Sequence, residues 1–360
     1  MMTEVIEEKL TIHTQKVEKS RLPEVDFENL PFGRVFSDHM FIADYKDKKW
    51  NDLRIVPYNN ISFSPAMSTL HYAQSIFEGL KAYKRTDGSV WLFRPEDNFE
   101  RMNISAERMC MPAVPREAFM DGLLELIRLD QGWVPGQEGS TLYVRPFMFA
   151  ADDFIGVRPS DTYKFMIFTC PVASYYSEPV RVRIETEYTR AARGGVGYAK
   201  TAGNYAASLY AARKAQQEGY HQVIWTDGAE HKYIEESGTM NLFFKIDGKL
   251  ITASLGDSVL NGITRKSIIQ LAQDFGQPVE ERRISVAEIA QALKEGRVEE
   301  AFGAGTAAVV SSVKTIGHEG VDYDLPPMVE GTFAYQAKET LYKIRLGEAP
   351  DTHNWMVRVN

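Results

Sequence analysis

The spacing of apolar positions along the chain changes period several times, and each change marks an element. After Arg94, Phe99, Met102, Ala106 and Met109 recur at helical spacing. Pro95 suits the first helical position, and Glu96 and Asp97 suit the positive end of the helix dipole. A second helix is predicted over about 116–131, with Phe119, Leu123, Leu124 and Ile127 in register. Between residues 36 and 92, short β-like runs alternate with turn residues. The stretches 141–149 and 163–170 read as strands, rich in β-branched and aromatic side chains.

The pattern restarts in the second half. Val180-Arg-Val-Arg-Ile184 alternates like a half-buried strand, and 222–226 reads as a buried one. A helix is expected after Lys200, stopping at Gly219, and another near Thr264, with Ile268, Leu271, Ala272 and Phe275 on one face. Asp247-Gly248 between two apolar runs signals a hairpin, and Ser285-Val-Ala-Glu288 is a capping box. Residues 301–313 read as strand, Gly303-Ala-Gly-Thr-Ala307 turn, strand. Residues 1–30 look like a polar arm, and clustered Ser, Tyr and Pro after Ala173 read as a break. The expected organisation is therefore a smaller N-terminal α/β domain over 1–172, a linker over 173–187, and a C-terminal domain over 188–360. Strands and helices mix with hairpins, which places the fold in the mixed α/β (α+β) class.

Composition narrows the options. At 360 residues, with 44% hydrophobic and 25% charged positions, the chain is globular and long enough for two cores. A net charge of −8 argues against broad binding to nucleic acid. The two cysteines, Cys110 and Cys170, exclude a disulfide scaffold and suit a reducing compartment. Nothing resembles a signal or transit peptide, and no apolar run approaches the length of a membrane span. A soluble, cytoplasmic enzyme is expected, and no metal site is read.

The run Gly194-Gly195-Val196-Gly197-Tyr198-Ala199-Lys200-Thr201 carries the strongest chemical signal. Glycines allow close approach of backbone to ligand, and a lysine held there can be desolvated into a nucleophile able to form a Schiff base. A phosphate-cradling G-x-x-x-x-G-K-[ST] loop is the rival, with Asp227 as its metal-holding acid. Ala199 stands where that loop needs its second glycine. A solvated loop lysine is the plainest alternative. Asn261-Gly262-Ile263-Thr264 opens a helix whose free N–H groups could bind phosphate, or is an ordinary helix entry. The Gly303–Ala307 segment offers a second set of N–H groups, or a tight turn. Arg101 could reach a cleft or face solvent. Glu236 could pair with a heterocyclic nitrogen, or lie in a solvated turn with Glu235. Tyr143 and Arg145 alternate on a strand fit for burial, where an arginine needs an anionic partner, from the protein or from a ligand.

Together these segments resemble the branched-chain amino-acid aminotransferases, of the pyridoxal-phosphate fold type IV group, over almost the whole chain. The matching stretches are His71–Gly79, Phe93–Pro95 with Asn98–Met102, Leu142–Pro146, Gly194–Leu209, Glu236–Asn241, Gly262–Arg265 and Phe302–Ala307. The resemblance implies a two-domain fold with a larger, pseudo-barrel-like C-terminal domain. It implies reversible amino transfer between leucine, isoleucine or valine and 2-oxoglutarate, with pyridoxal 5′-phosphate as cofactor. Lys200 would hold the cofactor as a Schiff base and shuttle the proton. Glu236 would pair with the ring nitrogen, and Tyr205 would contact the ring's phenolate oxygen. Arg101, Ile263, Thr264 and Thr306 would hold the phosphate. Thr306 and Ala307 would take the substrate α-carboxylate, with Tyr143 and Arg145 on the side that recognises glutamate's second carboxylate. Phe32, Tyr72, Phe77, Tyr175, Thr239 and Met240 would form the apolar pocket. Ile155 and Val157 would come from the partner subunit of a homodimer. Rivals of the same fold type, a D-amino-acid aminotransferase or an aminodeoxychorismate lyase, would keep Lys200 and Glu236; the Tyr143–Arg145 pair favours the branched-chain group. Some animal members carry a Cys-x-x-Cys pair where this chain has Ala308 and Ser311, so thiol control there is not expected.

Overall fold

A computed structural model describes residues 10–173, 178–307 and 309–360. Two units divide it. The first runs up to Lys84, then from Gly88 to Ala173, and takes in Arg358–Asn360; the second holds Arg85–Asp87 and the rest of the chain to Val357. Tyr175 and Ala308 lie outside the described residues.

In the first unit a largely antiparallel sheet runs in the order His13–Thr14, Lys49–Pro57, His39–Lys46, Tyr163–Val172, Thr141–Ala150, Leu80–Lys84, Val90–Phe93, with Ser75–Phe77 beside Thr141–Ala150. The predicted helices form as Pro95–Arg108 and Gly122–Leu129, the latter entered through a π-helical turn at Glu117–Asp121. Their apolar faces close the core: Met102, Ala106, Leu123, Leu126 and Ile127 pack with Phe41, Leu142, Val144 and Phe165, all fully buried. Val359 N–H donates to Val90 O at 2.9 Å, so the chain's last residues return to this unit.

Six strands of the second unit close on themselves. Val180–Ile184 pairs in parallel with Gln222–Thr226, which pairs antiparallel with Tyr233–Ser237. That strand turns into Met240–Ile246, followed around the ring by Val298–Gly305 and Val309–His318, which returns parallel to Val180–Ile184. The parallel pair needs a crossover, supplied by the helix Ala202–Gln217. Closure leaves no unpaired edge within the ring, and this is the pseudo-barrel that the resemblance implies. Val180–Ile184, inside the expected linker span, is thus an integral strand of the ring.

Two local readings are revised. Gly303-Ala-Gly305 belongs to a strand and not to a turn: Gly303 pairs with Ser311 and Gly305 with Val309, leaving only the residues from Thr306 to turn. Glu235 and Glu236 sit on a strand and not in a solvated turn, with Glu236 4% exposed. The Asp247-Gly248 hairpin and the Ser285 cap form as predicted, Ser285 Oγ accepting from Glu288 N–H at 3.0 Å. Glu288 does not complete a reciprocal box; its carboxylate pairs with Arg282 at 2.6 Å.

Candidate active site

Within the second unit a cleft, partly open to solvent, is lined by Lys200, Tyr205, Glu236 and Thr239. Four expected site residues therefore meet in one place. Lys200 stands two residues before the helix Ala202–Gln217, and Tyr205 lies in that helix's first turn, so the start of the helix points both into the cleft. Lys200 Nζ donates to Tyr205 Oη at 2.6 Å. The glycine run reaches this point by bending under the 257–260 segment, where Tyr198 N–H donates to Asp257 O at 3.0 Å.

Glu236 faces the cleft because it is the cross-strand partner of Asn241 on the short hairpin that joins the two strands. Its Oε1 accepts from Leu260 N–H at 2.6 Å and from Asn241 Nδ2 at 3.3 Å; its Oε2 pairs with Arg190 Nη2 at 3.0 Å. Asn241 also donates to Leu260 O at 2.8 Å, and its Oδ1 presses on Gly262, where an added Cβ would lie 2.0 Å away. Only glycine fits there, which ties the carboxylate to the start of the helix Ile263–Asp274. Ile263 and Thr264, both buried, are its first two residues, and their N–H groups belong to the four that a helix start leaves without intrahelical acceptors. Met240 is buried against Gly303, and Thr306 and Ala307 form the turn after that strand.

A second cluster lies in the first unit. Arg145 stacks over the rings of Phe77 at 4.7 Å and Tyr143 at 5.3 Å, and Phe32 meets Tyr143 edge-on at 5.5 Å. Arg145 Nη2 donates to Tyr143 Oη at 3.0 Å, but its Nε is buried without an acceptor. Among the described residues no carboxylate pairs with it. Tyr72 ends the short helix Ser68–Tyr72 and is 37% exposed. Ile155 and Val157 lie on the turn before Tyr163, 61% and 91% exposed.

Arg101 neither faces solvent nor stands unpaired. Its guanidinium grips the fully buried Glu78 with two bonds, Nε to Oε1 at 2.8 Å and Nη2 to Oε2 at 2.7 Å, and Asn98 Nδ2 braces the same carboxylate at 2.7 Å. Asp227, the acid offered for a nucleotide loop, is used locally: it accepts from the N–H groups of Glu230, Lys232 and Tyr233. Burial pushes its carboxyl up, but those N–H groups hold it below the usual carboxylate range.

Arg190, Asn204, Ser208, Asn241 and Leu260 also line the cleft and had drawn no role from the sequence. Asn204 Nδ2 donates to Val196 O at 2.8 Å and Ala199 O at 2.9 Å, folding the glycine run against the helix. A polar residue at the start of a helix that follows a glycine-rich run is a signal for such a brace; Arg190 and Leu260 offered none. Among the described residues no group of three His, Cys, Asp or Glu could hold a metal, and no helix is long and apolar enough to cross a membrane.

The class is defined by a lysine at the end of a glycine-rich run and a buried carboxylate in one cleft of a closed sheet. A family model for amino-transferase class IV matches residues 75–316. Branched-chain-amino-acid aminotransferase 2 of Bacillus subtilis is 46% identical over 356 residues, covering 97% of this chain and 98% of that one. The solved branched-chain amino acid aminotransferase from Escherichia coli superposes with a TM-score of 0.72 at 26% identity, over 90% of this chain and 99% of that one. The branched-chain aminotransferase from the thermophilic archaeon Thermoproteus uzoniensis, solved with norvaline, gives a TM-score of 0.74 at 25% identity, over 89% and 100%. The chain belongs to the class IV aminotransferases, among the branched-chain-amino-acid aminotransferases.

Proposed function

We propose that the protein transfers the amino group reversibly between leucine, isoleucine or valine and 2-oxoglutarate, using pyridoxal 5′-phosphate. The observation that carries this is the Lys200 amine and the buried Glu236 carboxylate facing one cleft in a chain of this family. The residues present fit the group: an amine to attach it, a fixed anion for a ring nitrogen, and a helix start for a phosphate. When bound, pyridoxal 5′-phosphate supplies an electron sink for the charge that develops at the substrate Cα.

The chain's own residues then divide the work. Lys200 Nζ, kept in place by Tyr205 Oη, would hold the cofactor and move the proton at Cα, and Tyr205 would lie on the side of the ring oxygen. Glu236 holds a proton on the ring nitrogen by charge pairing. The first N–H groups of the helix at Ile263 and Thr264, with Thr306, would hold the phosphate; the resemblance gives Arg101 the same role. For Arg101 to serve it must do so while still paired to Glu78. Thr306 and Ala307 take the α-carboxylate. Arg145, lacking a protein carboxylate, takes the second carboxylate of glutamate with Tyr143. Thr239 and Met240 would supply the apolar wall on the second unit, and the resemblance gives Phe32, Tyr72 and Phe77 the same role; such a wall separates one methylene from the next by only about 1–3 kcal/mol. Tyr175 keeps the pocket role that the resemblance gives it.

We further propose a homodimer in which Ile155 and Val157 complete the partner's pocket, since exposed apolar side chains grouped with Phe154 favour a covered face. The two free cysteines suit a cytoplasmic setting.

The test is the visible absorbance spectrum of the purified, cofactor-loaded protein before and after adding leucine. A yellow band that leucine bleaches is expected. A protein that stays colourless with pyridoxal phosphate would overturn the cofactor; a band indifferent to leucine would overturn the substrate.

A further inference from the structure

Glu236 is held from three sides, and one of them is a cation. Its side chain is 5% exposed, and the Arg190 side chain paired with it is 8% exposed. Burial of a carboxylate favours its neutral form unless a partner compensates. Leu260 and Asn241 supply hydrogen bonds to Oε1, and Arg190 supplies charge, to Oε2. The neighbouring Glu235 adds to the need. It points to the other face of the strand and is bonded by Ser258 Oγ, and burial pushes its carboxyl up. Arg190 also has a backbone anchor, since Nη2 donates to Ser258 O as well, its charge favours the ionised form of Glu235 too, and its Nε is buried without an acceptor.

We propose that Arg190 is a positioning residue that keeps Glu236 anionic and aimed into the cleft, so that the grip on the cofactor's ring nitrogen depends on an arginine reached through Glu236. This rests on the reading of Glu236 given above. A neutral Glu236 could not hold a proton on that nitrogen by charge. A carboxylate left free to turn would lose its alignment as well. A purely structural Arg190 would only tie residue 190 to the 258 segment, and would act the same whatever stood at 236.

The measurement is the dissociation constant for pyridoxal 5′-phosphate by equilibrium dialysis, with the visible spectrum, for wild type, R190Q, R190K, E236Q and the double variant R190Q/E236Q. R190Q is expected to weaken cofactor binding roughly tenfold, the scale of one charge-assisted hydrogen bond, and to shift the visible band in the direction E236Q does. R190K, which keeps the charge without the fork, is expected to recover part of both. In the E236Q background the second change should cost less than about twofold, because coupled groups are not additive. Wild-type affinity and spectrum in R190Q, or a full tenfold loss repeated on top of E236Q, would overturn the proposal. If R190Q does not fold, R190K decides in its place: a penalty beside the native Glu236 that vanishes in the E236Q background supports it, and equal penalties overturn it. A wild-type spectrum in E236Q itself would remove Glu236 from the ring nitrogen and take both readings down together.

Discussion

At the scale of single residues the site is a matter of who holds whom. Lys200 is bonded to Tyr205, Glu236 to Arg190, Asn241 and Leu260, and Arg145 to two rings with one buried N–H to spare. Lys200→Ala should fold normally, by circular dichroism, and lower turnover by roughly a thousandfold or more, the scale of a lost general acid–base; steady-state activity near wild type would take the proton transfer away from it. Arg145→Ala should raise KM for glutamate by about tenfold or more, the worth of a hydrogen bond to a charged group, and that for leucine much less. Equal losses would make the residue structural. Lys200 and Glu236 were legible in the sequence because each sits in a motif. Arg190 was not, since its value comes from a partner far along the chain that only the closed sheet brings near.

At the scale of elements, the turn that follows the strand Val180–Ile184 is fixed by one carboxylate, that of Glu185. Burial pushes the Glu185 carboxyl up, but the N–H groups of Glu187 and Tyr188 and the Arg183 guanidinium together bring it below the usual range. A folded-state value below the unfolded one means stability that is present above about pH 4.5 and lost as the pH falls through the folded value. Glu185→Gln should therefore cost about 2 kcal/mol at pH 7, a gap from wild type that closes in acid; melting temperatures across acid to neutral pH read it directly. The helices were readable because their periods and caps are local, as at Pro95 and Ser285. The closed ring was not. Val180–Ile184 reads as a strand, but nothing near it announces that its neighbours are 222–226 and 309–318. The Gly303–Gly305 stretch misread as a turn for the same reason: its strand character comes from pairing with 309–311 and 241–242, not from its own residues.

At the scale of the molecule, the fold class and the family follow from the order of motifs, while the proposed homodimer would leave only a trace in exposed apolar side chains. Light scattering of the wild-type protein should give twice the chain mass of 40.7 kDa. Val157→Asp, at a position 91% exposed in the single chain, should shift that toward the monomer and lower activity while leaving the monomer's fold intact. A monomeric wild type with full activity would remove the partner from the site.

The hairpin that carries Glu236 spans only Gly238 and Thr239 between its paired strands, and Gly238 turns with φ +56°. Tyr233–Ser237 is held by its pairing with Gln222–Thr226, so one extra residue in that turn would slip Asn241 out of register with Glu236 and part the carboxylate from the amide that braces it. Natural variants and engineered libraries of this enzyme should therefore vary freely in the length of other surface loops and almost never here. Deep mutational scanning with single-codon insertions would show position 238–239 as a sharp hole in tolerance, set not by the folding cost of a lengthened turn but by whether Asn241 still stands opposite Glu236.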